Sequence, residues 1–392
     1  MVNTLLQLWI GALTLGAISD VGKHIYTPEG AVVISYQDLV SAPLSLGASL
    51  CSSTDKAFGS APQCLGIIIV RDLSPAYITF RERLLKLSYK FAQLKNLCEN
   101  NIQIPSLWLV AREGKIHQMC PVDIGRNFSK EIMNGKPDTL KGSYYANPVM
   151  DDPDVSAALR DAYPEYYSKN IWPKEEAGVE DFETSFKDLG GFIFKVGCEL
   201  AAACQPFALS HLNDASLSLP QLIGTSKTVK ARLLHYFPPS PDSVLPADDE
   251  PVDSWCGFHL DHSILTGLCS VNYISMAMFL REGESGVQTV SSPSSASGLY
   301  IRTRAGELTK VSIPADCLAF QTGEALEVAT GGKLRATPHC VRVGASPDAE
   351  KISRETFALF MQPDVDQHLS SSCTFGQFSK KVFDEHYHGV LA

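Results

Sequence analysis

No Cys-x-x-Cys pair occurs among the 11 cysteines, which removes the commonest signature of a closed structural zinc site. Their number is odd, their spacing is irregular, and Cys198, Cys204, Cys269 and Cys317 sit in apolar runs. Buried thiols in a reducing cytoplasm fit this pattern better than a disulfide framework. Positive charge is also scarce: 33 Lys and Arg stand against 43 Asp and Glu, giving a net charge of −10 and a pI of 5.5. A phosphate backbone demands a basic footprint, so no nucleic acid partner is expected. The apolar stretch Thr4–Ser19 is shorter than the roughly 20 residues of a membrane span. No Lys or Arg precedes Lys23, whereas a signal peptide carries a positive n-region. An N-terminal extension or a helix packed on the core is therefore favoured over a signal peptide at residues 1–20. A cytoplasmic protein without a membrane span is expected. Internal repeats are missing as well.

What is present is an ordinary globular composition, 45% hydrophobic and 19% charged over 392 residues, enough for one large core or two domains. Gly30-Ala-Val-Val-Ile-Ser-Tyr and Leu65-Gly-Ile-Ile-Ile-Val-Arg read as strands, with helix in part of residues 38–58 between them. Phe80, Leu84, Leu87, Phe91 and Leu94 recur at helical spacing across Tyr77–Leu97. So do Phe182, Phe186, Leu189, Ile193, Val196 and Leu200, which predict a long helix whose apolar stripe packs on a sheet. Gly190-Gly191 inside that stripe would bend the helix or let it pack closely. From about residue 228 the chain changes to short strands separated by turn residues, the texture of an antiparallel barrel or jelly roll. Ser291–Ser297 reads as a surface loop, and Phe375–Tyr387 as a helix.

The chemistry-bearing residues lie in that second half. Side chains two apart on a strand share a face, so His259 and Asp261 in Trp255-Cys-Gly-Phe-His-Leu-Asp would converge on one ion. His339, in the strand-like Pro338-His-Cys-Val-Arg-Val, would complete the set from a neighbouring strand. Two imidazoles and a carboxylate form the facial triad that holds non-haem iron(II) and leaves coordination positions open. Arg354 and Thr356 share a face of the strand Arg354-Glu-Thr-Phe-Ala-Leu-Phe. A guanidinium fork matches a carboxylate bidentately. Tyr236, at the end of Arg232-Leu-Leu-His-Tyr-Phe-Pro, would share that carboxylate. Lys351-Ile-Ser353 is a competing version of the clamp; Arg354 is preferred because lysine does not bind bidentately. A lone His-x-Asp is common, and Arg-x-Thr is weaker still; their order and strand contexts strengthen the case. His262 would point away from Asp261 and reads as structural, and His368, His386 and His388 as surface residues.

Five segments in sequence resemble the isopenicillin N synthase-like iron(II)/2-oxoglutarate oxygenases, which include anthocyanidin synthase. They are Leu233-Leu-His-Tyr-Phe-Pro, Phe258-His-Leu-Asp-His-Ser-Ile-Leu-Thr-Gly-Leu, Gly298-Leu-Tyr-Ile-Arg-Thr-Arg-Ala-Gly-Glu-Leu, the block Gln321–His339, and Arg354-Glu-Thr-Phe-Ala-Leu-Phe-Met-Gln-Pro. They cover roughly residues 225–365; the N-terminal half matches more loosely, as at Asp138–Pro148. Thr356 stands where serine is usual and His235 where asparagine is frequent. Gly344–Glu350 lengthens the interval between His339 and Arg354. The resemblance implies an α+β fold with a mainly β core, a double-stranded β-helix (jelly roll) with N-terminal and flanking helices. It implies an apolar extension over 1–29, an N-terminal α/β region over 30–225, an oxygenase core over 226–365 and a helical tail over 366–392. His259, Asp261 and His339 would be iron ligands, with Tyr236, Arg354 and Thr356 on the far carboxylate of 2-oxoglutarate. The expected activity is iron(II)- and 2-oxoglutarate-dependent hydroxylation, desaturation or ring closure of a small organic substrate by dioxygen, with release of succinate and CO2. An iron oxidase of the same fold that does not use 2-oxoglutarate, and a binding protein that kept the fold, are the alternatives.

Overall fold

In the computed structural model the described residues are 19–21, 24–41, 47–92, 111–112, 115–116, 132–133, 136–137, 141–173, 178–238, 256–269, 278–283, 286–292, 294, 296–342 and 351–387. Residues 4–18, 93–97 and 138–140, the Gly344–Glu350 insertion and His388 lie outside them. The strands, in chain order, begin with β1 (Ser19–Val21), β2 (His24–Tyr26), β3 (Val32–Ser35) and β4 (Ile67–Arg71). Two short ribbons follow, β5–β6 (Ala111–Arg112, Lys115–Ile116) and β7–β8 (Ile132–Met133, Lys136–Pro137), and then β9 (Lys141–Ala146). The second half contributes β10 (Lys230–Tyr236), β11 (Cys256–His259), β12 (Leu265–Cys269), β13 (Met278–Gly283), β14 (Gly286–Val290), β15 (Gly298–Arg302) and β16 (Leu308–Val311). It ends with β17 (Leu318–Thr322), β18 (His339–Arg342), β19 (Ser353–Met361), β20 (His368–Ser370) and β21 (Cys373–Thr374).

Eleven of these strands form one sheet, ordered β1-β2-β3-β4-β17-β12-β19-β10-β9, with the β13–β14 hairpin attached to β19. Four more form a second sheet, β11-β18-β15-β16. β3 and β4 run parallel; the other ladders of both sheets are antiparallel. The sheets face each other across an apolar layer that includes Ile67, Ile69, Leu268, Ala319 and Ala358 from the large sheet and Leu299, Ile301 and Val341 from the small one. Period-2 alternation sends the other side chains of the same strands, such as Phe357, Leu359, Met361 and Phe320, into a second core. Both faces of the large sheet are thus covered, and β12, β17 and nearly all of β19 are buried.

Helices fill that second core. The expected long helix is Phe182–Leu209, and Phe182, Phe186, Leu189, Ile193, Val196 and Leu200 are at most 1% exposed. It is long and apolar enough to cross a membrane by length and composition, but its apolar stripe is spent on the sheet. Close packing accounts for Gly190 and Gly197, whereas nothing lies within 4 Å of a Cβ on Gly191. A Cβ on Gly190 would lie 2.3 Å from Pro148 Cβ, and one on Gly197 2.3 Å from Met361 Sδ. A second helix, Ala76–Ala92, packs beside it, with Leu84, Leu85 and Phe91 buried. The C-terminal helix Phe375–Tyr387 lies at one end of the sheets, where Phe378 meets His262 edge-on at 6.2 Å. The eight cysteines whose side chains are described are free thiols, six of them buried.

Candidate metal centre and carboxylate clamp

His259 is the last residue of β11 and His339 the first of β18, and the two are direct antiparallel partners. Their inward faces carry the rings to a centroid separation of 4.2 Å. Asp261 lies just past the end of β11, where the chain turns toward β12, so the His-x-Asp pair does not sit wholly on a strand as its spacing suggests. The turn is fixed from the opposite side: the Glu324 amide donates to the Asp261 carbonyl at 2.7 Å. Gly323 packs so tightly there that a Cβ would lie 2.2 Å from the Ser263 carbonyl oxygen and 2.7 Å from that of Asp261.

One ligand atom from each of His259, Asp261 and His339 lies within 4.8 Å of the others. His259 Nε2 is 3.8 Å from Asp261 Oδ1 and His339 Nε2 is 3.9 Å from Oδ2. Each imidazole is oriented through its other nitrogen: His259 Nδ1 is 2.8 Å from the Gly257 carbonyl and His339 Nδ1 2.9 Å from that of Thr337. A proton on each Nδ1 leaves each Nε2 as a lone pair facing the shared space, the arrangement that orients metal-bound histidines. Two nitrogens and one carboxylate oxygen, gathered on one side, suit iron(II) with positions left open. Among the described residues this is the one such cluster of metal-ligand side chains.

Electrostatics favour a cation there. Burial works against ionising Asp261, yet the His339 and His259 imidazoles and hydrogen bonds from Thr266 and Gln321 hold its carboxyl below the usual range. Burial also disfavours a charged His259, but Cys256, Asp261 and the Gly257 carbonyl outweigh it and raise the imidazole to about 9. Burial and the adjacent His259 push His339 down to about 4. The charge held against Asp261 therefore resides on His259 as a second ring proton, which a metal ion taking Nε2 as a ligand would displace.

Gln321 opens one of the five family-like segments, but nothing in the sequence gives it a role. It is fully buried on β17, and its Nε2 donates to Asp261 Oδ2 at 2.6 Å while lying 3.1 Å from His339 Nε2. Its Oε1 is buried without a hydrogen-bond partner. Thr266, its register neighbour on β12, also bonds the Asp261 carboxylate and touches Ser263 Oγ at 2.9 Å. Only the sheet register brings these neutral residues to the site. His262 points elsewhere, 3.6 Å from Glu324.

The second group of residues also assembles. β10 and β19 pair so that Tyr236 faces Arg354 and Leu234 faces Thr356. Tyr236, Arg354 and Thr356 are 2%, 1% and 7% exposed and lie on the inner face. The guanidinium stacks 4.7 Å from the Tyr236 ring centroid. Burial lowers the Arg354 pKa, and the Tyr236 side chain, bonded to it, counters the effect. Lys351 is exposed and Ser353 faces the opposite side, where its hydroxyl donates to Glu355 at 2.9 Å. His235 shares that opposite side, 2.6 Å from Glu355 Oε1, and Ser88 donates to the other carboxylate oxygen at 2.7 Å.

Neither a family model nor a curated protein matches the chain. Solved structures do. A candidate oxygenase from Shewanella oneidensis aligns over 92% of this chain and 99% of its own with a TM-score of 0.55 at 17% identity. A full-length Neurospora crassa protein, solved in complex with alpha-KG, aligns over 91% and 90% with a TM-score of 0.55 at 15% identity. A 2OG-Fe(II) oxygenase family protein from Caulobacter crescentus aligns over 91% and 98% with a TM-score of 0.54 at 16% identity. The chain has the fold of the 2OG-Fe(II) oxygenases. Within that oxygenase fold the metal-ligand cluster and the buried arginine lie on facing walls of one interior, between the two sheets.

Proposed function

We propose that this protein is an iron(II)- and 2-oxoglutarate-dependent oxygenase acting on a small organic molecule, and that its two facing sheets are a double-stranded β-helix. The observation that carries the reading is the joint placement, inside one apolar layer, of a two-histidine, one-carboxylate cluster and a buried Arg-Thr-Tyr group. We assign residues 226–365 to the oxygenase core, 30–225 to an N-terminal region packed on it and 366–392 to a helical tail. His259, Asp261 and His339 would hold iron(II); Arg354, Thr356 and Tyr236 would hold the far carboxylate of 2-oxoglutarate. Bound iron(II) supplies the activation of dioxygen, coupled to decarboxylation of 2-oxoglutarate to succinate and CO2, with the second oxygen atom left for the substrate.

The chain's own residues do the rest by orientation. The Gly257 and Thr337 carbonyls fix both imidazole rings, and Gln321 and Thr266 occupy one side of the Asp261 carboxylate. Tyr236 steadies the Arg354 fork at the far end of β10. The apolar layer around both groups keeps bulk water from the reacting end. The test is anaerobic titration of metal-free protein with iron(II) and then 2-oxoglutarate, monitoring the weak visible charge-transfer band of the chelate. A band in the wild type that is lost in His259→Ala supports the reading. Bound iron without a band points to an oxidase that does not use 2-oxoglutarate, and no iron binding refutes the enzyme reading.

A further inference from the structure

β10 carries polar side chains at both ends of its inner face. Tyr236, Leu234, Arg232 and Lys230 share the inner face, by alternation and by the presence of Leu234 and Tyr236 in the layer between the sheets. Tyr236 closes one end of this row at the Arg354 clamp. Lys230 stands at the other end of the strand, about 20 Å away.

Register places Lys230 close to the metal-ligand cluster. Lys230 pairs with Phe360 on β19, Phe360 with Thr266 on β12, and Thr266 with Gln321 on β17. A straight row therefore crosses four adjacent strands on the inner face: Lys230, Phe360, Thr266, Gln321. The last two hydrogen-bond the Asp261 carboxylate. At about 4.8 Å between strands, the Lys230 backbone lies about 10 Å from that of Thr266.

Lys230 is buried, 9% exposed, and among the described residues none makes a hydrogen bond or ion pair to its ammonium. Glu165, from the short helix Pro164–Tyr167, is the carboxylate whose field reaches it, and that carboxylate is shared with Lys380 of the C-terminal helix. One carboxylate against two lysines leaves positive charge under the helical cover at this end. The stem of Lys230 is buried, but its ammonium is not among the polar atoms fully closed off from solvent, so a ligand can reach it. Beside it, Phe360 is the one residue of β19 that is only partly buried, and it stands in the row between Lys230 and Thr266.

We propose that Lys230 binds an anionic group, a carboxylate or its equivalent, of the organic substrate, with Phe360 taking the adjoining apolar part. This rests on the oxygenase reading and narrows its substrate to small acids. The clamp end of β10 is taken by 2-oxoglutarate; the Lys230 end is level with the residues holding Asp261, where the substrate's C–H bond must come.

The test uses full-length protein loaded with manganese(II) and saturating 2-oxoglutarate, so that the Arg354 clamp is filled. The probes are matched fragment pairs, benzoate with benzamide and phenylacetate with phenylacetamide among them. Binding is read as paramagnetic line broadening of the fragment. Acids should bind at least tenfold more tightly than their amides. Lys230→Met should remove that preference, leaving amide binding and 2-oxoglutarate affinity unchanged, and Lys230→Arg should retain it. Acids that bind no better than amides, including no binding by either, overturn the proposal, as does unchanged acid affinity in Lys230→Met. Failure of the oxygenase reading is separately visible, because the iron(II)–2-oxoglutarate band of the unsubstituted protein is then missing before any fragment is added, and the proposal falls with it.

Discussion

Replacing Lys230 by methionine should make the protein more stable at neutral pH. Burial pushes the Lys230 ammonium down from 10.5 to about 8, only partly countered by Glu165. The gap corresponds to about 3 kcal/mol of destabilisation wherever both folded and unfolded chains carry the charge. Methionine keeps an unbranched apolar stem of similar length and removes the ammonium. The sign with pH follows from linkage. Below about pH 8 the lysine is charged in both states, and the cost is fully present. Between about 8 and 10.5 the unfolded chain binds more protons than the folded one, so native stability rises with pH. Above 10.5 both are neutral and the cost is gone. Urea unfolding should therefore give Lys230→Met a gain of about 3 kcal/mol at pH 7 that shrinks toward zero near pH 10.5. A variant less stable than the parent at neutral pH, or a gain equal at both pH values, would refute the account of Lys230 as a buried charge without a bonded partner.

Three more substitutions probe the site. Arg354→Lys exchanges a bidentate fork for a point charge, and the 2-oxoglutarate concentration needed to develop the charge-transfer band should rise about 10- to 100-fold with iron affinity unchanged. Gln321→Leu removes a hydrogen bond to the Asp261 carboxylate, so manganese(II) affinity by competition titration should fall about 10- to 100-fold; unchanged affinity would show that Thr266 alone fixes Asp261. Gly323→Ala places a Cβ 2.2 Å from the Ser263 carbonyl oxygen, where rigid backbone must move. It should cost about 1–3 kcal/mol in denaturant unfolding and weaken metal binding through the displaced Asp261, and a fully stable variant with normal metal affinity would contradict that packing.

Local patterns are readable residue by residue. The stripe Phe182–Leu200 is a helix because apolar residues every three or four positions can be buried only on one helical face, and it is buried as spaced. Arg354 and Thr356 share a face because strand side chains alternate, and the same alternation turns Ser353 and Glu355 to the other face. The His-x-Asp spacing is right about convergence and wrong about its support: Asp261 reaches the cluster from a turn anchored by Gly323 and Glu324, residues distant in the chain that no local period reveals.

By itself, then, the sequence determined the elements, the faces of those elements and the residue types able to hold a metal and a carboxylate, because each depends on the chain's own period of 2 or 3.6. Tertiary structure alone decided which strands became neighbours. The pairing of β11 with β18 sets His259 against His339, and that of β10 with β19 sets Tyr236 against Arg354. The order β17-β12-β19-β10 brings Gln321, Thr266, Phe360 and Lys230 into one row. Those partners come from segments far apart in the chain, and their register is set by burial on both faces of the sheet, which no single segment encodes.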